Sequence, residues 1–247
     1  MKPNENTERL HDMTQLIKRM SAFLLCLMLL MGAFTETALA APDWPSGVSI
    51  QAESGIVIDA DTGTVLWGQI IHNQYFPASI TKIMTALIVI EKCSLDETVT
   101  FSHNAVFNVE AGSSNAGINE GDKLSVKDCL YALLLKSANE SANALAEHVA
   151  GSTEAFADMM NAKAKELGCT DTHFANPSGL NNPEHYTSTY DMALIARAAF
   201  LNPTFEEIDS TTYYKLPPNS INPEGLTIYP GHKMLKKSTP YYYPGIV

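Results

Sequence analysis

Along residues 77–90, PASITKIMTALIVI, apolar side chains recur at Ile80, Ile83, Met84, Leu87 and Ile88. That three-and-four spacing belongs to a helix face packed on a core. The same period predicts helices over about 79–92, 126–136, 140–150, 154–167 and 189–201, with Ser125 and Ser188 placed as capping residues. Ahead of them, Ser54–Asp59 and Thr64–Trp67 are two β-branched runs around Ala60-Asp61-Thr62-Gly63, which reads as a hairpin. The last stretch, 213–247, is rich in Pro, Tyr and Lys, with a strand-like piece at Leu226-Thr227-Ile228-Tyr229. Strands at both ends with helices between them indicate an α+β domain. No internal repeat or low-complexity linker divides residues 41–247, so they are expected to form one domain.

The N-terminus follows a different pattern. Lys18 and Arg19 precede an apolar run, Met20–Phe34, that ends near Ala38-Leu39-Ala40. This predicts a secretory signal peptide over residues 1–40, cut before Ala41; the run is shorter than the roughly 20 residues a membrane span requires. The segment holds equal numbers of acidic and basic residues, so the mature chain keeps the net charge of −11. An acidic exported chain lacks the basic footprint of a nucleic-acid binder. Cys93, Cys129 and Cys169 remain after cleavage, an odd number without CxxC spacing, which favours free thiols over a disulfide framework. The histidines are scattered and no HExxH occurs, so neither a metal nor another cofactor is expected.

One polar pair interrupts the first apolar helix. Ser79 and Lys82 stand three apart on one face. A serine hydroxyl needs a neighbouring base to become a nucleophile, and apolar surroundings would favour the neutral, basic form of Lys82. The helix N-terminus would offer N–H groups to a developing oxyanion. The bland alternative makes Ser79 a helix N-cap and Lys82 a lysine whose stem reaches out to solvent.

The motif is the only SxxK in the chain, whereas SxN occurs five times, at Ser102, Ser113, Ser137, Ser141 and Ser220. Position selects Ser137-Ala138-Asn139, at a corner between two helices where side chains can face a cleft. Ser137 would relay a proton to a leaving amine and contact Lys82, while Asn139 would hydrogen-bond a substrate backbone. Ser137 could also form a capping box with Glu140.

With these motifs in place, three long stretches, PASITKIMTALIVIE, EAGSSNAGINEGDKLSVKDCLYALLLKSANESANALAEHVAGS and MNAKAKELGCTDTHFANPSGLNNPEHYTSTYDMALIARAA, resemble the low-molecular-mass penicillin-binding D-alanyl-D-alanine carboxypeptidases. The resemblance implies the penicillin-recognising, β-lactamase-like α+β fold, a helical cluster against an antiparallel sheet. It implies Ser79 as acylated nucleophile, Lys82 as general base, and Ser137 with Asn139 as the second motif. The implied substrate is a peptidoglycan stem peptide ending in D-Ala-D-Ala, with β-lactams as covalent inhibitors. Asn176-Pro177-Ser178-Gly179-Leu180 matches a family signature and is read as structural. Kinship also implies work at the outer face of the cytoplasmic membrane, through a C-terminal anchor that family members carry.

The family's third element, Lys-Thr-Gly on an inner strand, has no match; Lys237-Ser238-Thr239 lacks the glycine. The run HKMLKKSTPYYYPGIV resembles what precedes that element. Residues 41–247 are therefore expected to be a partial catalytic domain without the C-terminal sheet strands, inactive or poorly folded alone. A β-lactamase or D,D-endopeptidase of the same fold, or a non-catalytic wall-binding relative, stays open as an alternative.

Overall fold

The computed structural model describes residues 18–21 and 49–243; the expected apolar run beyond Ser21 and the cleavage point lie outside the described residues. The chain divides into two units, residues 1–46 and 47–247, and of the first only a short helical stretch, 18–21, is described.

The second unit begins with the predicted hairpin, β1 (Gly55–Ile58) and β2 (Val65–Gln69), paired antiparallel with an irregularity between Val57 and Ile58. Its connection is an Asx-type turn in which the Asp59 carboxylate accepts the Thr62 N–H at 2.7 Å. Six further short strands form three antiparallel pairs. β3 (Gln74–Tyr75) pairs with β6 (Thr187–Ser188), β4 (Thr98–Thr100) with β5 (Lys123–Ser125), and β7 (Tyr214–Leu216) with β8 (Leu226–Ile228).

The helices carry the core. They are α1 (Lys82–Lys92), α2 (His103–Phe107), α3 (Val126–Lys136), α4 (Asn139–Ala150), α5 (Thr153–Glu166), α6 (Thr189–Phe200) and α7 (Pro203–Asp209). The hub is α1, which packs against α3, α4, α5, α6 and α7. Residues 84–89 are all buried, so this helix is enclosed nearly all round instead of presenting a single stripe. Ile80, placed on the core face by the sequence pattern, is exposed because the chain there is a 3₁₀ turn, Ala78–Thr81, leading into α1. On the outside of the cluster, Arg197 of α6 donates from Nε to the Ala60 carbonyl and from Nη2 to the Asp61 carbonyl, each at 2.6 Å. That fork holds the hairpin turn against the helices.

Capping follows the sequence at the predicted serines. Ser188 accepts the Asp191 N–H, and Ser125 forms a full capping box with Asp128 at the start of α3. Two short helices, α2 and α7, were not foreseen; α7 opens with Asn202 as cap and Pro203 in its first turn.

The Asp128 carboxylate has a second duty, accepting the Tyr214 hydroxyl at 2.8 Å while that ring stacks on Tyr131. The box therefore fixes both α3 and strand β7. Ser125→Ala is expected to cost about 1 kcal/mol of stability, and Asp128→Ala more, because it also strands the Tyr214 hydroxyl. Denaturant midpoints at unchanged slope check this; equal costs for the two would contradict it.

Candidate active site

The structure brings Ser79, Lys82, Ser137 and Asn139 to one place. Ser79 lies in the 3₁₀ turn and Lys82 is the first residue of α1. In 3₁₀ geometry residues three apart eclipse, so the two side chains stand in line, with Nζ 3.4 Å from Oγ. Neither half of the bland alternative holds. Ser79 makes no side-chain cap hydrogen bond, and Lys82 is only 2% exposed.

The Lys82 amine is held by two short bonds, to Asn139 Oδ1 at 2.8 Å and to the Ser178 backbone carbonyl at 2.6 Å. Both partners accept, so each requires an N–H from the amine. In the neutral form two N–H groups satisfy them and the lone pair is left on the side of Ser79 Oγ. Desolvation lowers the Lys82 pKa from 10.5 to about 8, partly offset by the negative charge of Glu140. At pH 7 roughly one molecule in ten then carries the neutral amine.

Two elements deliver the second motif. Ser137 ends α3 in the left-handed region, φ 58°, and the chain turns there into α4, whose first residue is Asn139. The capping box suggested for Ser137 and Glu140 does not form. Glu140 is buried, and its Oε1 instead accepts the Ala116 N–H at 2.6 Å, while the Asn139 N–H donates to the Ser114 carbonyl. These bonds lace the 113–118 loop to the start of α4. Burial raises the Glu140 pKa, against the pull of backbone N–H groups, that of Ala116 first, and of Lys82. The expected hydrogen bond between Ser137 and Lys82 is also absent. The Ser137 hydroxyl is buried without a partner, and it lines the same cavity as Ser79, Lys82, Ser114 and Ile80, about 550 Å³ in volume, with Asp209 and His232 among its other walls.

The residues missed in the sequence belong to the Asn176–Leu180 segment. Its Ser178 carbonyl binds the Lys82 amine, and its Pro177 carbonyl accepts the Thr85 hydroxyl at 2.7 Å. Gly179, at φ +82°, lies so close beneath the Ser79 turn that a Cβ there would sit 1.9 Å from the Ala78 carbonyl oxygen. Ala78 itself has φ 50°, unusual for a residue with a side chain. The segment thus supports a strained backbone immediately before Ser79. Backbone carbonyls carry no side-chain signature, so the sequence alone presents this motif as structural.

His185 completes the support. Its Nδ1 accepts the Ala175 N–H at 3.0 Å, so the ring proton is on Nε2, which donates to Thr81 Oγ1 at 2.8 Å. Burial, with the neighbouring His173 a smaller cause, lowers its pKa from 6.5 to about 4, and the ring is neutral.

Fold and site together place a serine hydroxyl beside a buried lysine amine on the following helical turn, at the edge of a cavity. The family model of D-alanyl-D-alanine carboxypeptidase matches residues 36–234, and the chain belongs to that family. It is 37% identical over 185 residues to the D-alanyl-D-alanine carboxypeptidase DacF of Bacillus subtilis, covering 72% of this chain and 46% of that protein. Among solved structures, penicillin binding protein 6B from Escherichia coli superposes with a TM-score of 0.72 at 32% identity, over 81% of this chain and 64% of that one. The D-alanyl-D-alanine carboxypeptidase from Mycobacterium tuberculosis gives a TM-score of 0.69 at 31% identity, over 81% of this chain and 73% of the other. The chain spans less than half the length of several curated relatives that it matches.

The neutral His185 sets a pH dependence. Between its ordinary value of 6.5 and its folded value of about 4, the unfolded chain binds a proton that the folded chain does not. The stabilisation is complete above that window and is lost as pH falls through it, at up to about 1.4 kcal/mol per pH unit. A His185→Gln variant is expected to show a shallower loss over that range in chemical denaturation; parallel curves for the two proteins would contradict the assignment.

Proposed function

We propose that this protein is a serine D-alanyl-D-alanine carboxypeptidase that removes the terminal D-alanine from peptidoglycan stem peptides. The observation that carries this reading is the buried Lys82 amine, whose two short hydrogen bonds leave its remaining face to Ser79 Oγ. Family membership supplies the substrate class. Ser79 Oγ attacks the carbonyl carbon of the penultimate D-alanine as Lys82 takes its proton. The N–H of Ser79, at the start of the helical turn, stabilises the oxyanion. Ser137 passes a proton to the departing D-alanine amine and Asn139 orients the peptide, in addition to fixing Lys82. Water then hydrolyses the acyl-enzyme and frees Ser79.

A β-lactam amide opens on the same hydroxyl, and its acyl-enzyme persists because the leaving group stays tethered. The work is extracytoplasmic, with the protein exported through the segment at residues 1–40 and held at the outer face of the cytoplasmic membrane. Among the described residues no helix is long and apolar enough to cross a membrane.

Labelling of the full-length protein with a fluorescent penicillin tests the proposal. The wild type is expected to retain a covalent adduct, Ser79→Ala to lose it entirely, and Lys82→Met to form it at least a hundredfold more slowly. Rapid release of hydrolysed penicillin would point to a β-lactamase instead, and undiminished labelling of Ser79→Ala would overturn the assignment of the nucleophile.

A further inference from the structure

The two helices that begin at the active site also end together. Lys82 and Asn139, the first residues of α1 and α4, are joined by a 2.8 Å hydrogen bond. About 14–16 Å away along the helix axes, Cys93 is the C-terminal cap of α1 and His148 lies in the last turn of α4. The helices therefore run parallel. Their free carbonyl ends and negative dipole poles converge where Cys93 and His148 stand, a setting that favours a cation.

A third ligand-type side chain enters from the loop that joins α1 to β4. Glu97 Oε2 is 2.9 Å from His148 Nε2, and its Oε1 accepts the Ser94 N–H at 2.5 Å. The loop backbone is tied down in turn, since the Val126 and Lys127 N–H groups donate to the Glu97 and Leu95 carbonyls at 2.9 Å. One sulfur, one imidazole nitrogen and one carboxylate oxygen thus lie within 4.8 Å of one another. Tetrahedral zinc holds such atoms at about 2.0–2.3 Å, which places them roughly 3.3–3.6 Å apart. Cys93 and His148 are half-buried and Glu97 is exposed, so the site keeps one open side for entry and for a water in the fourth position.

We propose that Cys93, Glu97 and His148 form a zinc site that clamps the C-terminal ends of α1 and α4 and so fixes the parallel pair whose opposite ends carry Lys82 and Asn139. The donor set of thiolate, imidazole and carboxylate suits this borderline-soft dication better than magnesium or calcium. Before metal binds, burial and the Glu97 charge keep the Cys93 thiol protonated. Coordination displaces that single proton to solvent, and the His148–Glu97 hydrogen bond is exchanged for two bonds to the metal as the neutral imidazole shifts its proton from Nε2 to Nδ1. Three ligands spread over residues 93, 97 and 148 make no contiguous motif, which is why the sequence pattern predicted no metal. The clamp does not depend on the acyl-transfer reading.

Zinc titration of the full, chelator-treated chain tests the proposal. One zinc per chain is expected to bind at micromolar concentration or tighter, weakened at least tenfold by either Cys93→Ser or His148→Ala and unchanged by Cys169→Ser. Cobalt in place of zinc is expected to give a thiolate-to-metal charge-transfer band in the wild type and none in Cys93→Ser. Should the variants fail to fold, zinc must still protect Cys93 of the wild type from alkylation, read by mass of the peptide that carries it. Zinc affinity equal in wild type and variants, no stoichiometric binding, or alkylation of Cys93 indifferent to zinc would overturn the proposal.

Discussion

Burying a lysine amine costs solvation that hydrogen bonds must replace, and the arrangement of this site follows from how that cost is met at Lys82. Two acceptors do it, an amide oxygen from the first residue of α4 and a backbone carbonyl from the 176–180 loop. Both are neutral dipoles, so they hold the amine without fixing a full positive charge as a carboxylate in contact would. Glu140 supplies negative charge from a distance and offsets part of the desolvation. An amine whose pKa lies well below the ordinary lysine value results from this balance of desolvation against a remote charge.

The same requirement explains the tight packing around the Ser79 turn. For the Ser178 carbonyl to reach Lys82, the 176–180 loop must pass directly beneath Ala78, which leaves no room for a side chain at Gly179. Ala78 in turn takes a left-handed backbone that presents Ser79 at the cavity while Lys82 stays inside. Thr81 and Thr85, facing the loop from the next turns, are satisfied by His185 and by the Pro177 carbonyl. Enclosed helix α1, polar at its first turn and apolar thereafter, joins this network to the core.

The long helices and the first hairpin were legible because period and caps act locally: Ser125 and Ser188 each stand where the apolar period begins. Ser79 and Lys82 were legible because a lone lysine in an apolar run conflicts with its surroundings. What stayed hidden depends on contacts far apart in sequence. Glu140 looked like a capping partner for Ser137, three residues before it, yet bonds Ala116. Ser178 acts through its backbone, which no side-chain pattern reports. Helices α2 and α7 are too short for a periodic signal, and Ile80 fits the apolar period but falls in a 3₁₀ turn, where that period does not apply.

The central claim is that Lys82 titrates as a desolvated amine poised beside Ser79. Nuclear magnetic resonance of the protein with isotope-labelled lysine side chains reads that titration directly, with Lys82→Met identifying the signal. Lys82 is expected to titrate near 8, and lower still in Glu140→Gln, where the charge that raises its pKa is gone. A midpoint at the ordinary value of 10.5 would contradict the account.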